Sequence, residues 1–207
     1  MNIFKQLTEK PWLAPSDEVL ADLQSGALAI GVPPSKVALR VFLAVVCVLF
    51  SLFCVAYYVR MGLADWRPLP EPDLLWLNTI VILLSSAALQ YTRHAVQGGN
   101  VSRMNAGLIA GGLLTVGFLI GQYVVWQDLR SDGYYAATNP ANAFFYLLTA
   151  VHGLHLIGGL VVWGRTAVKV WKGAEPYQVR LSVELCTTYW HLLALVWLVI
   201  LWILIST

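Results

Sequence analysis

Three histidines lie inside apolar stretches of this 207-residue chain: His152, His155 and His191. Residues three apart are neighbours on one helical face, so His152 and His155 form a usable pair of imidazole ligands. A third imidazole would complete a site for zinc or copper. Glu184 precedes His191 by seven residues, with Tyr189 and Trp190 between them. Two turns separate the carboxylate from the imidazole, which puts both on one side of a helix. Counted along the helix axis, His155 and His191 lie roughly 16 Å and roughly 12 Å from the inner ends of their apolar runs. The three rings could therefore meet if those two helices pack together. A carboxylate and imidazoles at such depth could also pass protons. The competing chemistry is hydrogen bonding between helices, which uses the same residue types. No Cys-His cluster and no further carboxylate accompanies the histidines. Nothing marks the large cavity that an axial haem histidine needs.

The elements that must position these groups are legible from composition. Hydrophobic residues make up 58% of the chain and charged residues 12%, about half the charged share of a soluble domain. Five apolar runs are long enough to cross a bilayer, at about 37–58, 74–90, 106–126, 143–168 and 183–205. Backbone groups in lipid must be paired within their own segment, so each run is read as a helix. The expected fold class is therefore all-α, a polytopic bundle of five transmembrane helices over residues 35–207. Residues 1–34 form a separate N-terminal segment, in which Ser16 can cap a short surface helix at about 17–25. Gly98-Gly99, Asp132-Gly133 and Gly173 mark turns between runs.

Charge gives an orientation. Ten Lys and Arg fall on the side of the N-terminus and of the loops at 91–105 and 163–182, against Arg60, Arg67 and Arg130 on the other. The basic side faces the cytoplasm, which places the N-terminus inside and the C-terminus outside. Arg40, Arg93 and Arg180 on the basic side are candidates to meet lipid phosphates. A net charge of +2 with no dense basic patch gives no case for a nucleic-acid partner. Phosphate loops, dinucleotide fingerprints and nucleophile–base motifs are absent from the sequence. Within the runs, Asn78, Thr79, Ser85 and Ser86 can bond across helices, and Gly107, Gly111, Gly112, Gly158 and Gly159 permit close approach. Cys47 and Cys54 lie about 10 Å apart along one helix, too far for a disulfide.

Four segments together resemble subunit III of the haem-copper terminal oxidases. His152-Gly153-Leu154-His155 followed by Gly159 is similar to that family's H-G-L-H-x-x-x-G signature. Glu184, four residues, then Tyr189-Trp190-His191 is similar to its Glu and Y-W-H pattern, with Trp197 beyond. Leu77-Asn78-Thr79 with Leu84-Ser85-Ser86 resembles its L-N-T run, and Gln122 with Trp126 the end of the following helix. The matches stand in family order across roughly residues 40–205. The familiar form has seven helices, and this chain resembles the shorter five-helix form. The first run carries no acid, and Leu192-Leu193-Ala194 follows His191 where an aspartate is common. Polar positions tied to proton movement are thinned, while packing positions stay.

The resemblance implies a non-catalytic subunit of a respiratory oxidase that reduces oxygen to water and pumps protons. Its haem and copper would reside in partner subunits, with no cofactor and no metal in this chain. Its partners would be subunit I, other oxidase subunits and membrane lipids, including bound phospholipid, in a bacterial inner membrane. No residue is expected to be catalytic. Glu184, His152, His155, Tyr189 and His191 are expected to form an interhelical polar cluster. Asn78 and Ser86 would tie the second helix to a neighbour. Two other readings stand beside this one. One is a similar accessory protein of nitric-oxide reductases. The other is a stand-alone membrane carrier or enzyme with a histidine-based site.

Overall fold

A computed structural model of the chain describes residues 33–70 and 72–206. The short helix expected at about 17–25 lies outside the described residues. Five helices follow in order: α1 (Pro34–Met61), α2 (Leu74–Gln97), α3 (Val101–Ser131), α4 (Pro140–Trp171) and α5 (Pro176–Ile205). All five are long and apolar enough to cross a membrane, and no strand occurs among the described residues. Two compact units divide the chain between Val41 and Phe42. Within the first, residues 34–41 are the opening turns of α1. The second, Phe42–Thr207, holds the packed bundle.

The helices are longer than the apolar runs that announce them. Their 24 to 32 residues correspond to about 36–48 Å, beyond a hydrocarbon core of about 30 Å. Helical hydrogen bonding continues past the lipid because local caps support it. Asn100 and Asn139 accept backbone N–H bonds from Arg103 and Ala141 at the starts of α3 and α4. Pro140 and Pro176 occupy opening positions where a missing N–H costs nothing. Three helices end alike. Gly99, Gly133 and Gly173 take φ of 68°, 86° and 86°, and the next residue's N–H bonds back to Ala95, Leu129 and Lys169. A side chain would strain that left-handed turn, which is why glycine follows α2, α3 and α4.

Lipid is as apolar as leucine, so close packing and interhelical hydrogen bonds must hold the bundle together. The helix α2 runs antiparallel to both α3 and α5. Arg93, Ser86 and Thr79 of α2 meet Glu184, His191 and Trp197 of α5 in succession. Glycines set the approach of α3 and α4. A Cβ on Gly107 would meet Thr92, one on Gly111 would meet Leu89, and one on Gly112 would strike the Trp163 ring. Gly159 lies against Tyr189 and Trp190, whereas Gly158 faces open space. Of the residues in α1, only Val46, Phe50 and Tyr57 are buried. They join Leu148, Val196 and Ile200 in one apolar cluster against α4 and α5.

Candidate functional site

Indole and hydroxyl groups build the buried polar framework. Trp190 Nε1 donates to Thr115 Oγ1 at 2.8 Å, Trp197 to Thr79 at 2.9 Å, and Trp126 to Thr149 at 3.1 Å. Each threonine hydroxyl donates its own proton to the carbonyl four residues back, to Gly111, Leu75 and Phe145. A hydroxyl has one proton and two lone pairs, so the lone pairs remain for the indole. The result is three α-helical threonines that each accept a tryptophan from another helix. Trp163 Nε1 follows the same logic without a hydroxyl, donating directly to the Leu108 carbonyl at 3.1 Å. Ser85 adds a second contact to Thr115 at 2.7 Å.

The sequence-selected residues sort into separate groups around this framework. On the α2–α5 seam, His191 Nε2 donates to Gln90 Oε1 at 3.2 Å. Its Nδ1 therefore accepts from the Ser86 hydroxyl at 2.5 Å. Gln90 Nε2 continues the chain to His94 Nε2 at 3.0 Å. One helical turn further along, Arg93 approaches Glu184 at 3.9 Å. Both nitrogens of His191 are thus committed to α2.

Between α4 and α5 the groups face elsewhere. Tyr189 donates its hydroxyl to the His155 carbonyl at 2.8 Å, and His155 Nδ1 donates to the Val151 carbonyl at 2.7 Å. Phe42 lies 6.4 Å from the His155 ring and 6.1 Å from Tyr189. His152 is fully buried. Phe50, Phe118 and Trp197 surround it at 6.4, 5.8 and 5.3 Å, and neither ring nitrogen has a hydrogen-bond partner among the described residues. Asn78 is buried, with its amide packed on Gly121 of α3. Arg40 and Arg180 are exposed, and Arg93 is half-buried beside Glu184.

This geometry decides what the histidines can do. His191 hydrogen-bonds to α2, the His155 ring bonds to its own helix, and His152 sits in an aromatic enclosure. Among the described residues no three His, Cys, Asp or Glu side chains converge as a metal site. The chain Ser86–His191–Gln90–His94 joins two helices and stops at the end of α2. Gln90 and His94 went unremarked in the sequence, although they repeat the Ser86 position at intervals of four. Of the threonine acceptors, Thr79 was among the polar residues that stand out in the second run, whereas Thr115 and Thr149 gave no comparable signal, because only a facing indole distinguishes them from other threonines.

A family model described as cytochrome c oxidase subunit III matches residues 37–206. A cytochrome c oxidase subunit 3 of Yarrowia lipolytica is 33% identical over 129 residues, covering 61% of this chain and 46% of that protein. A probable cytochrome c oxidase subunit 3 of Mycobacterium bovis is 28% identical over 138 residues, covering 65% of this chain and 68% of that protein. One from Arabidopsis thaliana is 30% identical over 129 residues, again 61% of this chain and 46% of the relative. The matched stretch thus spans about half the length of the Yarrowia and Arabidopsis proteins.

Proposed function

Because the chain belongs to the cytochrome c oxidase subunit III family, we propose that it is a non-catalytic subunit of a respiratory haem-copper oxidase. In that role it packs beside subunit I, steadies it, and binds membrane lipid. The carrying observation is a family match that runs through all five helices, residues 37–206. The chemistry of the candidate residues supports the same reading. Every histidine nitrogen that has a hydrogen-bond partner holds a neighbouring backbone or side-chain group, which suits structural work. Haem and copper, which carry electrons to oxygen, belong on this reading to the partner subunits. The chain's own part is to present a rigid, internally bonded bundle. The family match favours this reading over a nitric-oxide reductase accessory protein and over a stand-alone histidine-based carrier or enzyme.

The proposed location is a bacterial inner membrane, with the N-terminus cytoplasmic and the C-terminus periplasmic. Ten basic residues against three support that orientation. Glu184, Tyr189, His191, His152, His155, Asn78 and Ser86 act in this proposal as interhelical structural groups. Arg40, Arg93 and Arg180 meet lipid phosphates at the cytoplasmic face.

The test is a mild-detergent pull-down of the tagged chain from its native membrane, followed by a reduced-minus-oxidised visible spectrum. Haem bands and a large polytopic partner in the eluate are expected, with oxygen consumption by the sample. Nitric-oxide consumption instead would move the chain to the reductase branch. A stable, colourless and partner-free preparation would overturn the subunit assignment.

A further inference from the structure

Toward the α3–α4 connection, the bundle encloses polar groups that the indole–threonine framework does not satisfy. His152 is fully buried, Asn78 is 3% exposed and Gln122 5%. Asn78 Nδ2, both amide atoms of Gln122 and both ring nitrogens of His152 lack a hydrogen-bond partner among the described residues. These side chains come from three different helices, α2, α3 and α4.

Trp197 of α5 ties them to one layer. Its indole bonds Thr79, the residue after Asn78, and its ring lies 4.8 Å from Phe118 and 5.3 Å from His152. Gln122 stands one helical turn from Phe118 on the same side of α3. It also follows Gly121, on which the Asn78 amide packs. One turn beyond Gln122, Trp126 bonds Thr149 of α4. The register of α3 against α4 therefore sets Gln122 level with the stretch from Thr149 to His152. The rings of Phe118, His152 and Trp197 close this layer on one side, and the Trp126–Thr149 bond closes it on the other.

A buried polar atom without a partner carries the full cost of leaving water. In native proteins such atoms are met by protein groups or by bound water. A neutral imidazole has one donor and one acceptor, so the layer presents three donors and two acceptors. About two water molecules bonded to each other keep three acceptor and three donor positions free, which is enough for all of them. Enclosures that stay dry are apolar, and this one is not.

We propose that the layer between Asn78, Gln122 and His152 is an internal water-binding site, in which bound water bridges the Gln122 amide to the His152 ring. The water links α2, α3 and α4 where no direct bond does. It also fixes the tautomer and ring position of His152. The site rests on the packing of this bundle and not on which complex the chain serves.

The test is solid-state NMR of the full 15N-labelled chain in lipid bilayers, with any partners that stay bound, reading magnetisation transferred from water protons. The Trp190 indole, fully buried and bonded to Thr115, is the dry reference. The His152 ring N–H and the Gln122 side-chain amide should receive water magnetisation at mixing times at which that indole stays dark. Q122L keeps the side-chain volume and removes both amide atoms, so transfer to His152 should fall to the Trp190 level. H152F should do the same to the Gln122 amide. The wild-type comparison decides the site by itself if either variant fails to fold. A His152 ring as dark as the Trp190 indole would overturn the proposal, whether the ring then bonds Gln122 directly or faces an aromatic ring. Transfer to His152 that persists unchanged in folded Q122L would overturn the bridge to Gln122.

Discussion

Replacing Thr115 by valine tests the claim that threonine-to-indole bonds hold the bundle. Thr115 is fully buried, and so is Trp190, whose Nε1 sits 2.8 Å from the threonine oxygen. Valine keeps the volume and removes the acceptor. Ser85 still reaches the Gly111 carbonyl at 2.8 Å, so one orphan, the indole N–H, remains. A buried donor stripped of its partner costs about 1–3 kcal/mol. Interhelical bonds in membrane proteins average about 0.6 and reach about 1.7 kcal/mol. The expected loss for T115V is therefore about 1–2 kcal/mol, while T115S retains the acceptor and loses a methyl group. The informative measurement is a double-mutant cycle with W190F, read by reversible denaturation in mixed micelles. Removing both partners leaves no orphan, so the coupling energy should be about 1 kcal/mol. Coupling below about 0.3 kcal/mol, within the usual additivity error, would refute the assignment of this bond as an interhelical tie.

Three further perturbations separate the packing claims. Gly159→Ala puts a Cβ 2.7 Å from the Tyr189 ring and should cost about 1–3 kcal/mol. Gly158→Ala, with nothing within 4 Å, should be neutral or gain up to about 1 kcal/mol from helix propensity; comparing their melting temperatures checks both. Ser86→Ala removes the donor to His191 Nδ1 while Gln90 still fixes Nε2. The 15N resonance of Nδ1 should shift while His191 stays the Nε2–H tautomer, and an unchanged spectrum would show that the hydroxyl is not bound there. Outside the spans, Arg60 hydrogen-bonds Asp65 at 2.7 and 2.5 Å and holds its carboxyl below the ordinary value of 3.8. A lowered carboxyl contributes its stability above the ordinary value and loses it as pH falls through the lowered one. Carbon-13 titration of Asp65 should therefore show a midpoint below 3.8, rising to the ordinary value in R60Q.

The five spans were legible because lipid imposes its demand on every residue of a segment. A continuous apolar run of spanning length has only the helix open to it. The glycine turns after α2, α3 and α4 were equally local, since a left-handed residue is chosen by its own backbone. Helix ends were not legible. Pro140, Pro176 and the Asn100 and Asn139 caps extend the helices into polar sequence that reads as loop by hydropathy.

The candidate site divides along the same line. Asn78, Ser86, His152, His155, Glu184, Tyr189 and His191 could be picked out singly, because a polar group in an apolar run is conspicuous. Which of them meet could not. Glu184 and His191, seven apart, both face α2, whereas Tyr189 between them reaches His155 of α4, because α5 lies between α2 and α4. Similar depths along the axis fix height and leave rotation free. Gly121 carried no motif, and only the Asn78 amide against it shows why a side chain is excluded there. Trp190 and Trp197 stand in the sequence without a visible partner; α3 and α2 supply Thr115 and Thr79. Sequence by itself therefore determined the number of helices, their turns and the residues with polar chemistry. The tertiary structure alone decided the pairings, because a hydrogen bond between helices depends on the rotation and register of both.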